Sequence, residues 1–436
     1  MDQRITPARN IAGGLRIPGD KSISHRYALL GAVAEGETAI RNYAPGADCA
    51  STLRCLEALG VRVSRRQVQA ETGEPSVELG IAGRGLKGLV EPATTLDAGN
   101  SGSTIRMLSG LLAGQSFRSV ITGDESLRRR PMRRVMDPLR RMGASIEASP
   151  GDLPPLAIQG GALRGIEYPL PVPSAQVKSA VLLAGMLAEG ETTVIEPLAL
   201  RDHTEIALAQ FGADLTRARR KATVHGGRQL RARKIDIPGD ISSAAFFLCA
   251  ALMFPESNLL LQNVGVNPTR TALLDFLSSI GAKIKVLNIG ASSGELVGDI
   301  HVSGGKLAGG KVDGATVAGL IDEIPVLAVL ATQTEGGLAI RDAQELRIKE
   351  TDRIAAIAEN LRRMGGRVEV YQDGLDIPGG QSLHGAEIDS FGDHRIAMAF
   401  AVAALIATGE TLIHGCDAAI VSFPGFYDSI DKVTER

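Results

Sequence analysis

The chain has 436 residues, too many for one ordinary hydrophobic core, so about two to three domains are expected. Lys and Arg total 47 and Asp and Glu 49, which gives a formal net charge of −2, and 44% of the residues are hydrophobic. This balance excludes a disordered chain and a non-specific nucleic-acid surface. Any attraction for an acidic ligand must therefore come from a few placed Arg and Lys side chains.

Neither an export signal nor a membrane span is indicated by the sequence. The start MDQRITPARN is polar and has no apolar signal core, so a cytoplasmic protein is predicted. The longest apolar runs, including 396–407 and 244–254, fall short of the ~20 residues of a membrane helix and are predicted to be core helices. Cysteines without metal-ligand spacing predict buried free thiols and neither a metal nor a cofactor. They are Cys49, Cys55, Cys249 and Cys416.

The first recurring element along the chain is an amphipathic helix that ends at a glycine and continues into a β-branched strand. Glycine can adopt the left-handed backbone conformation that closes a helix C-terminus. The copies span residues 51–63, 136–146, 203–215, 271–284 and 352–368. Their predicted C-cap residues are Gly60, Gly143, Gly212, Gly281 and Gly365.

A second helix type alternates with the first. It is apolar on every face and begins at a Gly/Ser/Asp cluster, which predicts an interior helix. The predicted starts lie at 19–22, 99–104, 173–176, 239–243, 319–322 and 392–395. The alternation of these helices with strands predicts an α/β fold.

Two similar openings divide the chain into homologous halves. RIPGDKS begins at Arg16 and KIDIPGDIS at Lys234, and we infer three βαβαββ-like units in each half. Because a strand precedes the first IPGD, one domain is expected to contain both chain termini. The predicted domains are 1–18 with 236–436, and 19–235.

The helix openings also indicate an anion site. Helix N-termini carry unpaired N–H groups and the positive end of the helix dipole, so several of them facing one cleft would bind anions. At any single opening, Gly and Ser are explained more simply as helix caps. Polar side chains in several openings favour the anion site. These are Lys21, Ser22, Arg26, Asn100, Arg106, Ser174, Gln176, Lys178, His394 and Arg395.

Two charged segments have competing interpretations. GDESLRRRPM is either a solvated charge run or a segment in which Arg130, held extended before a proline, reaches a phosphate. RDAQELRIKETDR has the charge spacing of a salt-bridged surface helix. Alternatively, a loop before the next helix presents Lys349, Glu350 and Arg353.

The acidic pair Asp322 and Glu323 precedes the apolar run IPVLAVLA. An acid at the border of a buried helix is either an N-cap or a carboxylate kept for proton transfer. The sequence leaves both interpretations open.

Seven motifs in this order resemble the 5-enolpyruvylshikimate-3-phosphate synthase family over essentially the whole chain: GDKSISHR, GNSGSTIR, RRPM, PSAQVKSA, RDHTE, KETDR and GDHRIAMA. The resemblance implies two inside-out α/β barrel domains, each of three βαβαββ repeats, which close over an active site in the inter-domain cleft. It implies a monomer that transfers the enolpyruvyl group of phosphoenolpyruvate to the 5-hydroxyl of shikimate 3-phosphate by addition–elimination, releasing phosphate without a cofactor. This is a step towards chorismate and the aromatic amino acids.

The resemblance also implies site residues. Catalysis would use Asp322 as the base for the 5-hydroxyl, with Glu350 and Lys21 handling the proton on the enol side. Shikimate 3-phosphate would contact Lys21, Ser22, Arg26, Ser174, Ala175, Gln176, Arg201, Asp322 and Lys349. Phosphoenolpyruvate would contact Lys21, Asn100, Gly102, Arg130, Gln176, Arg353 and Arg395. Glyphosate carries a carboxylate and a phosphonate, so it is expected to compete with phosphoenolpyruvate for the same arginines. Sensitivity to it is expected because Gly102 stands where herbicide-tolerant members resembling this branch tend to carry alanine.

This sequence departs from the enteric-type family pattern at two positions. Val421 stands in place of a phosphate-binding lysine, and Glu345 stands in place of an asparagine. Alternative functions are the sister enolpyruvyl transferase that acts on UDP-N-acetylglucosamine and a non-catalytic phosphate-binding repeat protein. A kinase is disfavoured because the sequence has no GxxxxGK[ST] loop.

Overall fold

The computed structural model describes residues 1–69 and 75–436. The α-helices are α1 (Lys21–Val33), α2 (Ala47–Ala58), α3 (Gly102–Ala113), α4 (Glu125–Arg128), α5 (Arg133–Arg141), α6 (Ala175–Gly185), α7 (His203–Gln210), α8 (Ile241–Leu252), α9 (Ala272–Ser279), α10 (Gly314–Leu320), α11 (Ile324–Ala331), α12 (Arg353–Arg363), α13 (His394–Ile406) and α14 (Phe426–Val433). Short 3-10 helices span Gln344–Ile348 and Cys416–Val421.

The strands of the first half of the chain are β1 (Asp2–Ile5), β2 (Asn10–Arg16), β3 (Glu35–Arg41), β4 (Arg62–Gln69), β5 (Pro75–Arg84), β6 (Leu96–Asp97), β7 (Arg118–Thr122), β8 (Ser145–Ser149), β9 (Leu153–Gln159), β10 (Leu163–Arg164), β11 (Glu167–Pro169), β12 (Ala188–Glu189), β13 (Glu191–Ile195), β14 (Asp214–Ala218), β15 (Lys221–His225) and β16 (Lys234–Asp236). Those of the second half are β17 (Asn258–Gly265), β18 (Lys283–Ser292), β19 (Glu295–Ser303), β20 (Gly310–Val312), β21 (Leu338–Ile340), β22 (Glu369–Tyr371), β23 (Gly374–Ile377), β24 (Glu387–Asp389), β25 (Thr411–His414) and β26 (Thr434–Glu435). Helices and strands alternate as the α/β class predicts.

The chain forms two compact units. Unit 1 consists of Met1–Pro18, Gly239–Gly290 and Leu296–Arg436, and unit 2 consists of Gly19–Pro238 with Ala291–Glu295. The sequence analysis predicted that the chain crosses from the second domain back to the first between residues 235 and 236, whereas the structure places this crossing between Pro238 and Gly239. The sequence contained no signal for the short segment 291–295, which is the tip of the hairpin formed by β18 and β19.

In unit 2, one strand arrangement recurs. In the order β6-β7-β9-β8, the first pair is parallel and the next two pairs are antiparallel. The orders β11-β13-β15-β14 and β16-β3-β5-β4 repeat this pattern. A parallel pair needs a crossover, and α3 and α6 connect the parallel strands of two of these sheets. The pattern corresponds to the predicted βαβαββ unit.

Unit 1 contains the same arrangement in β20-β21-β23-β22. A second sheet has the order β18-β19-β17-β2-β26, so it gains β26 from the C-terminus beside β2. The third sheet, β1-β25-β24, is completed by β1 from the N-terminus. Both chain termini therefore complete sheets of unit 1.

The strand that precedes each IPGD segment pairs with a strand that follows the other IPGD segment's helix. β2 precedes α1 in the chain but pairs in parallel with β17, whereas β16 precedes α8 but pairs in parallel with β3. The first crossing needs a glycine, because a Cβ on Gly19 would lie 1.7 Å from the carbonyl oxygen of Asn42. At the second crossing, a Cβ on Gly239 would lie 2.8 Å from the carbonyl oxygen of Asn263, so both IPGD segments need their glycine.

The predicted interior helices and helix caps are confirmed, with one exception. Every residue of α8 is buried, and the five predicted C-cap glycines have φ between 77° and 112°. The predicted start at 319–322 is wrong, because α10 ends at Leu320 and α11 begins at Ile324, where Pro325 suits the first turn of a helix.

Within the described ranges, no single helix is long and apolar enough to cross a membrane. Among the residues that the structure describes, one helix pair, α10 with α11, passes the length and composition test when taken together, and it is bent by 109°.

Candidate active site

The first helix of unit 2 presents a lysine at its N-terminus. The carboxylate of Asp20 caps α1 by accepting from the backbone N–H of Ile23 at 2.8 Å. Lys21, the first helical residue, donates from Nζ to Oδ2 of Asp48 at 2.9 Å and is 20% exposed. Its ammonium is therefore held in place yet remains accessible to a ligand.

One turn further along α1, Arg26 is a buried cation whose hydrogen-bond acceptors in the described part of the chain are neutral. It donates to Oγ1 of Thr204 at 2.7 Å, to the carbonyl of Ser22 at 2.7 Å and to Oγ of Ser179 at 2.8 Å. Burial lowers the pKa of Arg26 to about 10, so its charge is retained at neutral pH. Among the described residues it makes no ion pair. A buried charge without a direct ion pair is costly, and a bound carboxylate would relieve that cost.

The opening of α3 joins two of the predicted residues, Asn100 and Arg130. Asn100 accepts from Nη2 of Arg130 at 3.0 Å through its Oδ1 and donates to Oδ2 of Asp124 at 2.7 Å. Arg130 is 9% exposed and also donates to Oγ of Ser126 at 3.0 Å. Arg130 is therefore not part of a solvated charge run, because its guanidinium is packed against the opening of α3.

Gly102 is the first residue of α3 and lies against two guanidinium groups. A Cβ built at Gly102 would lie 2.5 Å from Nη1 of Arg106 and 3.6 Å from Nη1 of Arg130. Arg106 in turn donates to Oε1 of Gln176 at 2.8 Å, and Gln176 donates to Oγ of Ser103 at 2.9 Å. The amide of Gln176 is therefore oriented from both sides.

The remaining predicted residues of unit 2 lie at or beside α6. Ser174 caps this helix by accepting from the N–H of Val177 at 3.3 Å, and Ala175 is its first residue. Arg201 lies in the segment between β13 and α7, and its charge contributes to lowering the pKa of Arg26. Unit 2 thus collects the α1, α3 and α6 openings together with Arg201.

In unit 1, the site is built around Arg353 at the start of α12. This side chain is 1% exposed. It donates to Oδ2 of Asp393 at 2.7 Å and to Oε2 of Glu350 at 2.7 Å, and its Nη1 lies 3.9 Å from Oδ1 of Asp322. Burial lowers the pKa of Arg353, but the carboxylates of Asp393 and Glu350 outweigh this and raise it above its usual value. Nη1 is buried, has no hydrogen-bond partner within residues 1–69 and 75–436, and can donate to a ligand.

The turn between α10 and α11 delivers Asp322 to this cluster. Glu323 occupies the N-cap position of α11, but its side chain makes no capping bond and instead accepts from Oγ of Ser242. Arg395 donates to the carbonyl of Asp322 at 2.6 Å and is 9% exposed on its side chain. Asp322 is therefore not the cap, and its carboxylate is 22% exposed.

Lys349 follows the 3-10 helix Gln344–Ile348 and precedes α12, so a loop presents it as predicted. Burial lowers its pKa, while the carboxylates of Asp322, Glu350 and Glu345 act in the opposite direction. Unit 1 therefore gathers Asp322, Lys349, Glu350, Arg353 and Arg395 around the α11 and α12 openings.

Comparison with known proteins identifies the family. A family model described as EPSP synthase (3-phosphoshikimate 1-carboxyvinyltransferase) matches residues 5–430. The chain belongs to the EPSP synthase family. A 3-phosphoshikimate 1-carboxyvinyltransferase from Solibacter usitatus is 57% identical over 435 residues, 100% of each chain, and one from Koribacter versatilis is 54% identical over 433 residues, 99% of each. A solved EPSP synthase structure from Acinetobacter baumannii superposes with a TM-score of 0.86 at 41% identity, covering 99% of this chain and 98% of that one.

The motif resemblance is thereby confirmed, and so is the assignment of the chain as a transferase of the EPSP synthase family. Neither alternative, the UDP-N-acetylglucosamine enzyme or a non-catalytic repeat protein, is supported by these matches. Of the two departures from the enteric-type pattern, Val421 ends the 3-10 helix Cys416–Val421. The carboxylate of the other, Glu345, acts to raise the pKa of Lys349.

Sequence reasoning gave no site role to Asp393 and no contact to Arg106, two residues that hold this EPSP synthase site together. Asp393 is fully buried, caps α13 and binds Arg353, and its only sequence signal was its place before the helix in GDHR. Arg106 was noted at a helix opening, but its bond to Gln176 had no sequence signal. No group of three or more His, Cys, Asp or Glu residues that could hold a metal occurs in ranges 1–69 and 75–436.

Proposed function

We propose that the protein joins phosphoenolpyruvate to shikimate 3-phosphate, transferring the enolpyruvyl group to the 5-hydroxyl and releasing inorganic phosphate. The observation that carries the proposal is the cluster around Arg353, where a buried guanidinium nitrogen without a hydrogen-bond partner lies 3.9 Å from Asp322. This cluster combines an anion-binding group with carboxylates suited to proton transfer.

Each substrate carries a carboxylate and a phosphate, so the site must neutralise several negative charges. Phosphoenolpyruvate contacts Lys21, Asn100, Gly102, Arg130, Gln176, Arg353 and Arg395. Shikimate 3-phosphate contacts Lys21, Ser22, Arg26, Ser174, Ala175, Gln176, Arg201, Asp322 and Lys349. Arginine suits this role because its planar guanidinium can donate two parallel hydrogen bonds to a carboxylate or phosphate. The proposal therefore assigns residues of both compact units to one reaction.

The reaction proceeds in two steps. Asp322 accepts the proton of the 5-hydroxyl as that oxygen bonds to C2 of phosphoenolpyruvate, while Glu350, with Lys21, delivers a proton to the methylene carbon. In the second step the C2–O bond to phosphate breaks, phosphate leaves with the bonding electrons, and Glu350 takes back a proton from the new methyl group, which restores the double bond. General acid–base assistance of this kind is worth ~10²–10⁴-fold for each group.

The proposal is tested by mixing the purified protein with both substrates and measuring inorganic phosphate. We expect release only when both are present, without nucleotide and in the presence of a metal chelator. Each substrate alone is the control. Equal release from phosphoenolpyruvate alone, or a strict requirement for a divalent ion, would contradict the proposal.

A further inference from the structure

A buried network of charges lies behind the opening of α6. Lys178 is 0% exposed, and its Nζ donates to Oε1 of Glu196 and to Oε1 of Glu205, each at 2.7 Å. Both carboxylates are nearly buried, with side-chain exposures of 8% and 4%. Such groups remain ionised inside a protein only when they are paired, so the three side chains form one electrostatic unit.

The first carboxylate ties this unit to the segment that carries Arg201. Glu196 follows β13, and its Oε2 accepts from the backbone N–H of Leu200 at 2.9 Å. The bond closes residues 196–200 into a short loop, and Arg201 is the next residue. Lys178 thus fixes the carboxylate that holds this loop closed.

The second carboxylate ties the unit to Arg26. Glu205 lies in the first turn of α7, and its charge raises the pKa of Arg26, opposing the effect of burial. Its neighbour Thr204 accepts from Nε of Arg26 at 2.7 Å and shares a hydrogen bond of 2.6 Å with Ser179, the residue after Lys178. The network therefore links α1, α6 and α7.

The negative charges of Glu196 and Glu205 are compensated by contact with Lys178, whose ammonium group bonds both carboxylates. Arg26 makes no ion pair with either glutamate among the described residues and is reached through Thr204 and Ser179. Without the ammonium group, two buried carboxylates face each other and repel. Loss of the Lys178 charge is therefore expected to release Glu196 from Leu200.

We propose that Lys178, through Glu196 and Glu205, is a positioning residue for shikimate 3-phosphate. The inference rests on the proposed function. The groups that the network holds, Arg26 and Arg201, are assigned to shikimate 3-phosphate and not to phosphoenolpyruvate. A purely structural ion pair would affect both substrates alike, whereas a positioning network affects one of them selectively.

The test compares Lys178→Met, Lys178→Arg and Leu183→Ala, measuring KM for each substrate, kcat and melting temperature. Leu183 is a fully buried residue of the same helix and serves as the control for destabilisation alone. We expect Lys178→Met to raise KM for shikimate 3-phosphate at least about tenfold, because a tenfold change corresponds to the loss of one hydrogen bond to a charged group. The change in KM for phosphoenolpyruvate should be much smaller. Lys178→Arg is expected to recover part of the loss.

A second pair of variants decides the matter if Lys178→Met does not fold. Glu196→Ala removes the bond to Leu200 but leaves Lys178 bonded to Glu205, whereas Glu196→Gln keeps an oxygen for that N–H. We expect the alanine variant to lose more affinity for shikimate 3-phosphate, measured by calorimetry, than the glutamine variant. Equal effects on both substrates, as in Leu183→Ala, or unchanged affinity in both Glu196 variants, would overturn the inference. A wild-type protein that releases no phosphate would instead count against the proposed function.

Discussion

Replacing Gly102 by alanine is expected to act through Arg106. The new methyl carbon would lie 2.5 Å from Nη1 of Arg106, too close for any carbon–nitrogen contact, so the guanidinium must move. The fold tolerates this because the displaced atom is the far end of a flexible side chain. The same nitrogen donates to Oε1 of Gln176 at 2.8 Å, so the substitution breaks or lengthens that bond.

The size of the effect follows from this hydrogen bond. A bond from a charged donor contributes about 1.5–3 kcal/mol, so the loss of ligand affinity is about tenfold or more. Gln176 keeps its bond to Ser103 at 2.9 Å, which places the expected effect on phosphoenolpyruvate at the lower end. Glyphosate, which is longer and also carries a carboxylate, is expected to lose more than phosphoenolpyruvate, at the upper end of this range, about 3 kcal/mol.

The assay is a double-mutant cycle with Gly102→Ala, Arg106→Met and the double variant, measuring KM for phosphoenolpyruvate and the inhibition constant of glyphosate. If the methyl group acts through Arg106, the double variant is no weaker than Arg106→Met alone. A full effect of Gly102→Ala in the Arg106→Met background would show that the methyl group meets the inhibitor directly. Unchanged inhibition in Gly102→Ala would refute the steric reasoning altogether, and millimolar inhibition of the unmodified protein would refute its predicted sensitivity.

Two further predictions concern unit 1. Asp322→Ala is expected to lower kcat by ~10²-fold or more with shikimate 3-phosphate binding nearly intact, because a base acts in the transition state. If the Asp322→Ala variant released phosphate with the kcat of the unmodified protein, Asp322 would not be the catalytic base. Burial lowers the pKa of Lys349, so its charge is present below that folded pKa and lost as pH rises through it. KM for shikimate 3-phosphate should therefore rise at a lower pH than an ordinary lysine would give, and Lys349→Arg should abolish that rise. The folded protein binds this proton more weakly than the unfolded chain, so the same group makes folding more favourable as pH rises. A flat pH profile of KM would contradict the role of Lys349.

Local sequence signals predicted the elements well. The C-cap glycines, for example Gly143 and Gly365, have positive φ because the left-handed conformation that ends a helix strongly favours glycine. The all-apolar α8 is buried for an equally local reason, since a helix without a polar face has none to turn towards solvent. The start of α11 was misplaced because Gly319 resembled a helix opening, whereas it lies within α10.

The sequence by itself determined the α/β class and, through its motifs, the family. Each motif places polar side chains at the start of a helix, and this local pattern is readable without the tertiary structure. Only the tertiary structure decided how these openings are joined. It showed that β2 pairs with β17 and β16 with β3, and that Asp393 holds Arg353. It also brought Lys178 to Glu196 and Glu205. These contacts join residues that are distant along the chain. Short-range periodicity indicates which face of an element is buried, but it does not indicate which distant strand or side chain packs against that face.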